Sequence, residues 1–145
     1  MKIDITNPEY RTLLDMLSLA DWVLHAFVAP SNNDKYSAFF EKMLSLAKSF
    51  DCEDLVVFDK QKQKYFPSGE FETSEQIMDV IESYNNDTFW EELVGRLAER
   101  DLIREIGEER FMQLEPEERV LQIGRKEERY AKEFEKNGIE TLTIK

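Results

Sequence analysis

Two carboxylates and a lone imidazole are the residues whose types and positions point to chemistry. Asp21 stands among the apolar positions of an amphipathic helix, and His25 follows one turn later, within side-chain reach. Glu127 stands near the centre of another apolar stripe, in a helix towards the other end of the chain. A buried carboxylate is costly unless it is paired or hydrogen-bonded, so each needs a reason. If Asp21, His25 and Glu127 converge, they form a ligand set for a divalent cation, or an acid–base pair for a small metal-dependent hydrolase. The plainer expectation is an Asp21–His25 hydrogen bond, with Glu127 reaching solvent or a nearby Arg or Tyr. With one histidine in the chain and no recognisable ligand spacing, the sequence favours the plainer expectation.

No standard catalytic signature accompanies these residues. The five glycines are scattered singly, so neither G-x-x-x-x-G-K-[ST] nor G-x-G-x-x-G occurs, and H-E-x-x-H and G-x-S-x-G are also missing. The single cysteine, Cys52, forbids an internal disulfide and gives no metal-ligand pair. It sits in "FDCEDL", where neighbouring acids disfavour the thiolate, so it makes a poor nucleophile. No cofactor is expected, and no motif carries a resemblance to a known family.

Charge narrows the partners. The chain has 145 residues with 19 Lys and Arg against 31 Asp and Glu, a formal net charge of −12. Residues 51–100 hold thirteen acids and only five bases. Such an excess repels phosphate backbones and anionic lipid surfaces, so neither nucleic acid nor membrane is expected as a partner. Lys60, Lys62 and Lys64 alternate through "FDKQKQKYF", but three lysines in this acidic segment read as the tip of a polar hairpin. The basic residues near the C-terminus, among them Arg125, Lys126 and Arg129, interleave with glutamates at three- and four-residue spacings, the pattern of an ion-paired solvated face. The N-terminal residues lack a signal-peptide core, and the longest apolar run, "WVLHAFVA", is too short to span a bilayer. A cytoplasmic protein is expected.

The elements that must position these residues are mostly helical. The chain reads as one α+β domain, 1–145, with about five helices and a small sheet built from its termini (2–6 and 140–144), to which 55–66 is a candidate addition. Asn7-Pro8 opens the first helix, expected to reach Ala29 ahead of Pro30; the second runs from about Asp34 to Ser49. Thr73 with Gln76 and Thr88 with Glu91 read as capping boxes for a third helix, 74–85, and a fourth. A fifth spans Pro116 to Asn137-Gly138. The fourth is apolar on two sides: Phe89, Trp90, Leu93, Val94 and Leu97 form one stripe, and Leu102, Ile103 and Ile106 project opposite. A break near Asp101 or packing on both sides is preferred over a dimer contact. Together these features favour a non-enzymatic protein–protein interaction module, binding a protein partner or a second copy of itself, over the carboxylate–histidine hydrolase.

Overall fold

A computed structural model describes residues 3–29, 31 and 34–143. It is a mainly helical α+β fold with one small antiparallel sheet. The helices are α1 (Asn7–His25), α2 (Lys35–Leu44), α3 (Gly69–Glu72), α4 (Glu75–Ile106), α5 (Glu108–Gln113) and α6 (Pro116–Asn137). Strands β1 (Val56–Asp59) and β2 (Lys64–Pro67) pair antiparallel, with Val56 opposite Pro67 and Asp59 opposite Lys64. The chain clusters into two compact units, residues 1–83 and 84–145, and the boundary falls within α4.

In the first unit, α1 starts one residue earlier than Asn7-Pro8 suggests. Thr6 is the N-cap: its hydroxyl accepts from the Glu9 amide, and the Glu9 carboxylate accepts from the Thr6 amide at 2.7 Å. This capping box claims the Thr6 backbone for the helix, and the expected N-terminal strand does not form over the described residues 3–6. Ile3 and Ile5 are accordingly exposed. Lys2 lies outside the described residues, as does Pro30.

The helix stops at His25 rather than Ala29, and the apolar residues beyond it, Phe27 and Val28, are solvent-exposed. Asp34 caps α2, accepting from the Ser37 amide at 2.7 Å. That helix is also shorter than its pattern suggests, passing into a separate tight helical turn at Ala47–Phe50.

The core of this unit gathers on Tyr10, Leu14, Phe40, Leu44 and Cys52, closed by Phe71, Ile77 and Ile81. Helical spacing puts Tyr10, Leu14, Phe40, Ile77 and Ile81 on inward faces, where all five are buried. The same spacing puts Tyr36, Phe39 and Val80 inside, yet about half of each is exposed, and Leu44 is buried instead. The hairpin 56–67 forms as expected around "DKQKQK". Its tip is built by Asp59, whose Oδ1 accepts from the Gln61 and Lys62 amides, and by Gln63 at φ 53°.

The expected third and fourth helices are one. Thr88 lies inside α4 rather than at a start, because nothing between Ser74 and Gly95 interrupts helical geometry and an internal capping box has no free amides to cap. Nor is there a break at Asp101. α4 ends at Ile106, where Gly107 adopts φ 85°, a conformation that side chains resist.

The two-sided pattern of α4 is packing within the second unit. Leu102, with Ile103 and Ile106, meets Phe111 and Leu114 of the α5 turn and Ile123 of α6. Arg119 closes this turn, donating to the Phe111 carbonyl at 3.1 Å with its guanidinium over the Phe111 ring. α6 ends as expected at Gly138, φ 55°, whose amide donates to the Phe134 carbonyl. Past it, the Glu140 and Leu142 amides bond back to Asn137 and Ile139, so residues 140–143 turn locally instead of forming the C-terminal strand. Ile144 lies outside the described residues.

Candidate functional site

Asp21 and His25 lie on the last turns of α1, in the first unit. The His25 Nδ1 is 3.0 Å from Asp21 Oδ1, the contact the four-residue spacing predicts. The other face of the ring was not foreseen: Nε2 is 3.3 Å from Oδ2 of Asp34, the N-cap of α2. The imidazole thus bridges two carboxylates across the 26–33 connection. Its side chain and that of Asp34 are each 15% exposed, while Asp21 is 37% exposed.

The Ser37 hydrogen bonds, with a smaller contribution from His25, hold the Asp34 carboxyl below its ordinary range. Each ring nitrogen of His25 thus faces a carboxylate oxygen within 3.3 Å. The arrangement suits a clasp between α1 and α2 better than a general base.

Glu127 belongs to the second unit, half-buried on α6. Its Oε1 lies over Gly95 of α4, where an added Cβ would be 3.7 Å away. It lines an open groove of about 430 Å³ together with Glu91, Glu92, Glu99, Arg96 and Ile123. Among the described residues, no group of three or more His, Cys, Asp or Glu side chains is arranged to hold a metal ion, and none of the charged or polar residues is fully buried. Asp21 and Glu127 are both partly wetted, so neither is a carboxylate deep in an apolar stripe.

A second groove, of about 410 Å³, lies between the same two helices of this unit. Its walls are Trp90, Val94, Ala131 and Phe134, with Glu91 and Glu135 at the rim. Trp90 and Phe134 face each other with ring centroids 5.6 Å apart, and Tyr130 stacks on Phe134 at 5.8 Å. Glu91 borders both grooves.

On the basic side of α6, Lys126 pairs with Glu105 and Arg129 with Asp101. The interleaved charges thus join α6 to α4 as well as facing water. Asp101 is the hub of this network, accepting from the Tyr130 hydroxyl, from Arg100 at 2.8 and 3.0 Å, and from Arg129. The Tyr130 hydrogen bond, followed by the two guanidiniums, holds its carboxyl below the usual range despite the opposing effect of burial.

One further acid escaped the sequence reading. Asp15, half-buried on α1, has its carboxyl pushed up by burial in a cleft shared with Arg11, Asp54 and Ser74. The Arg11 guanidinium is committed to Asp54 at 2.8 and 3.0 Å. Only depth in the fold, not spacing, marks Asp15 out. Cys52 is buried and donates to the Phe50 carbonyl at 3.0 Å, and burial raises its thiol pKa, so it is a core residue. Lys60, Lys62 and Lys64 are exposed at the hairpin, with Lys62 over the Phe66 ring.

No helix of the described residues is long and apolar enough to cross a membrane. Comparison with protein-family models, with curated proteins and with solved structures finds no significant match.

Proposed function

We propose that this chain is a non-enzymatic interaction module of the cytoplasm, which uses an acid-rich helical surface to engage another protein. The observation that carries the reading is an open groove on the α4–α6 pair, in which the apolar side chains of Trp90 and Val94 are accessible between the carboxylates of Glu91 and Glu135. Contacts of this composition suit association, in which apolar burial supplies affinity and complementary charge supplies rate and selectivity. The hydrolase alternative has less behind it, since both nitrogens of His25 are occupied by Asp21 and Asp34.

Affinity capture on the immobilised protein tests this reading, with each retained protein then purified and rebound. A basic partner that rebinds at a fixed stoichiometry and elutes as salt rises from about 50 to about 500 mM is the expected result. Failure of every purified candidate to rebind, together with sedimentation as a monomer at all concentrations, overturns it.

A further inference from the structure

The groove walled by Trp90, Val94, Ala131 and Phe134 has an aromatic side chain held ready for contact. Phe134 is buried, and the half-buried Trp90 packs on it with ring centroids 5.6 Å apart. The two rings are in contact, so a ligand lies along them rather than between them. Two further contacts hold Trp90: Phe89 meets it edge-on at 5.0 Å, and Asn86 Oδ1 accepts from the indole Nε1 at 3.2 Å. The indole N–H is therefore satisfied. Its accessible apolar surface is positioned in advance, which lowers the cost of ordering on binding.

The charge of the groove has one sign. Among the described residues that line it, Glu91 and Glu135 are the charged ones. The ion pairs of this unit go to Glu92, Asp101 and Glu105 instead. At about 410 Å³ the groove is in the size range of clefts that take a small ligand or a single side chain.

An occupant must match both the apolar wall and the negative margin. A leucine-like side chain suits the wall and leaves the carboxylates uncompensated. Lysine brings its charge as a compact, strongly hydrated ammonium, which resists an apolar surface. Arginine meets both demands. Its methylenes cover apolar surface, while its guanidinium is weakly hydrated, stacks on aromatic rings and matches a carboxylate with a planar fork.

Resting on the interaction reading above, we infer that this groove seats an arginine side chain supplied by a different protein. The methylenes lie along Val94 and Ala131, and the guanidinium packs on Trp90 and reaches Glu91 or Glu135. Arginine is among the residues that most often carry the binding energy of an interface. A second copy of this chain would bring the same net charge of −12 to the contact, so charge favours a foreign partner.

The test titrates the full chain with four blocked amino acids: the N-acetyl methylamides of arginine, citrulline, lysine and norleucine. Citrulline keeps the shape of arginine without its charge, and norleucine keeps only an apolar stem. Chemical shifts of the Trp90 indole N–H and of the Val94 and Ala131 amides report occupancy of the groove. Arginine is expected to move these signals, and each of the other three to bind at least about fivefold more weakly.

Glu91→Gln combined with Glu135→Gln, at two exposed positions, is expected to bring arginine and citrulline within about twofold of each other. Ala131→Gln places a helix-forming side chain in the groove and is expected to weaken arginine at least about fivefold. Circular dichroism establishes that each variant is folded.

Equal binding of citrulline or norleucine, tighter binding of lysine, shifts centred elsewhere, or an arginine preference unchanged in the double glutamine variant would each overturn the inference. Self-association through this groove would do the same. A captured partner that rebinds Ala131→Gln and the double variant as tightly as wild type removes the arginine seat and leaves the interaction reading intact. Absence of any rebinding partner removes both.

Discussion

Tyr10 shows how one side chain can anchor the first unit. It is fully buried, donates its hydroxyl to the Met43 carbonyl, and stacks on Phe50 with centroids 4.2 Å apart and planes 8° from parallel. Tyr10→Phe keeps the stack and removes the hydroxyl, so urea denaturation should show a loss of about 1 kcal/mol. Burial pushes the phenol up to about 12. Because the folded value is raised, this stabilisation is complete below the ordinary tyrosine value of about 10 and is lost as pH climbs towards about 12. The urea midpoint of the wild type should therefore fall more steeply across that alkaline range than that of Tyr10→Phe.

Asp101 behaves in the opposite sense, since Tyr130, Arg100 and Arg129 depress its folded pKa. Its contribution is present at neutral pH and disappears as pH drops below about 4, the unfolded carboxylate value, through the lower folded value. Asp101→Asn should cost about 1 kcal/mol at neutral pH, a modest figure because both arginines are well exposed. The difference from wild type should vanish in acid denaturation profiles. A flat difference across pH would contradict the assigned network.

For the elements, the same substitution has opposite expected signs at two glycines of one region. Gly107 stops α4 with φ 85° in open space, so an alanine meets no neighbour but must occupy a strained backbone; Gly107→Ala should destabilise by about 1–3 kcal/mol. Gly95 lies inside the helix, and its added Cβ would stand at ordinary contact distance from Glu127; Gly95→Ala should stabilise by up to about 1 kcal/mol. Chemical denaturation of both variants checks the pair. Helix starts were legible where a side chain caps them, as at Asp34, and the end at Gly138 was legible from the glycine. Thr88 misled because Ser/Thr-x-x-Glu is also a common mid-helix sequence. Only a preceding residue outside helical geometry turns it into a cap.

Across the whole molecule, like charge opposes compaction. The ion pairs at Arg96, Arg100 and Arg129 are exposed enough that each contributes about 0–1 kcal/mol, whereas the acidic excess of −12 acts on every approach of the chain to itself. Repulsion should win. The thermal midpoint is expected to rise when sodium chloride goes from about 10 to about 200 mM, conditions under which screening shortens to molecular distances. A lower midpoint at the higher salt would mean that the ion-pair networks dominate.

The amino-acid sequence by itself determined the helical character, the 56–67 hairpin, the cap at Gly138 and the acidic surface, because each depends on residues within a few positions of one another. It also paired Asp21 with His25, a contact inside one helix turn. Tertiary structure alone decided that Asp34 meets the other side of that imidazole and that Tyr130 reaches Asp101. It also lined up Glu127 and Ala131 of α6 with Gly95 and Glu91 of α4. Those meetings depend on the rotation and offset of packed helices. Periodicity specifies which face of a helix is apolar, but not which residue of another helix that face will find.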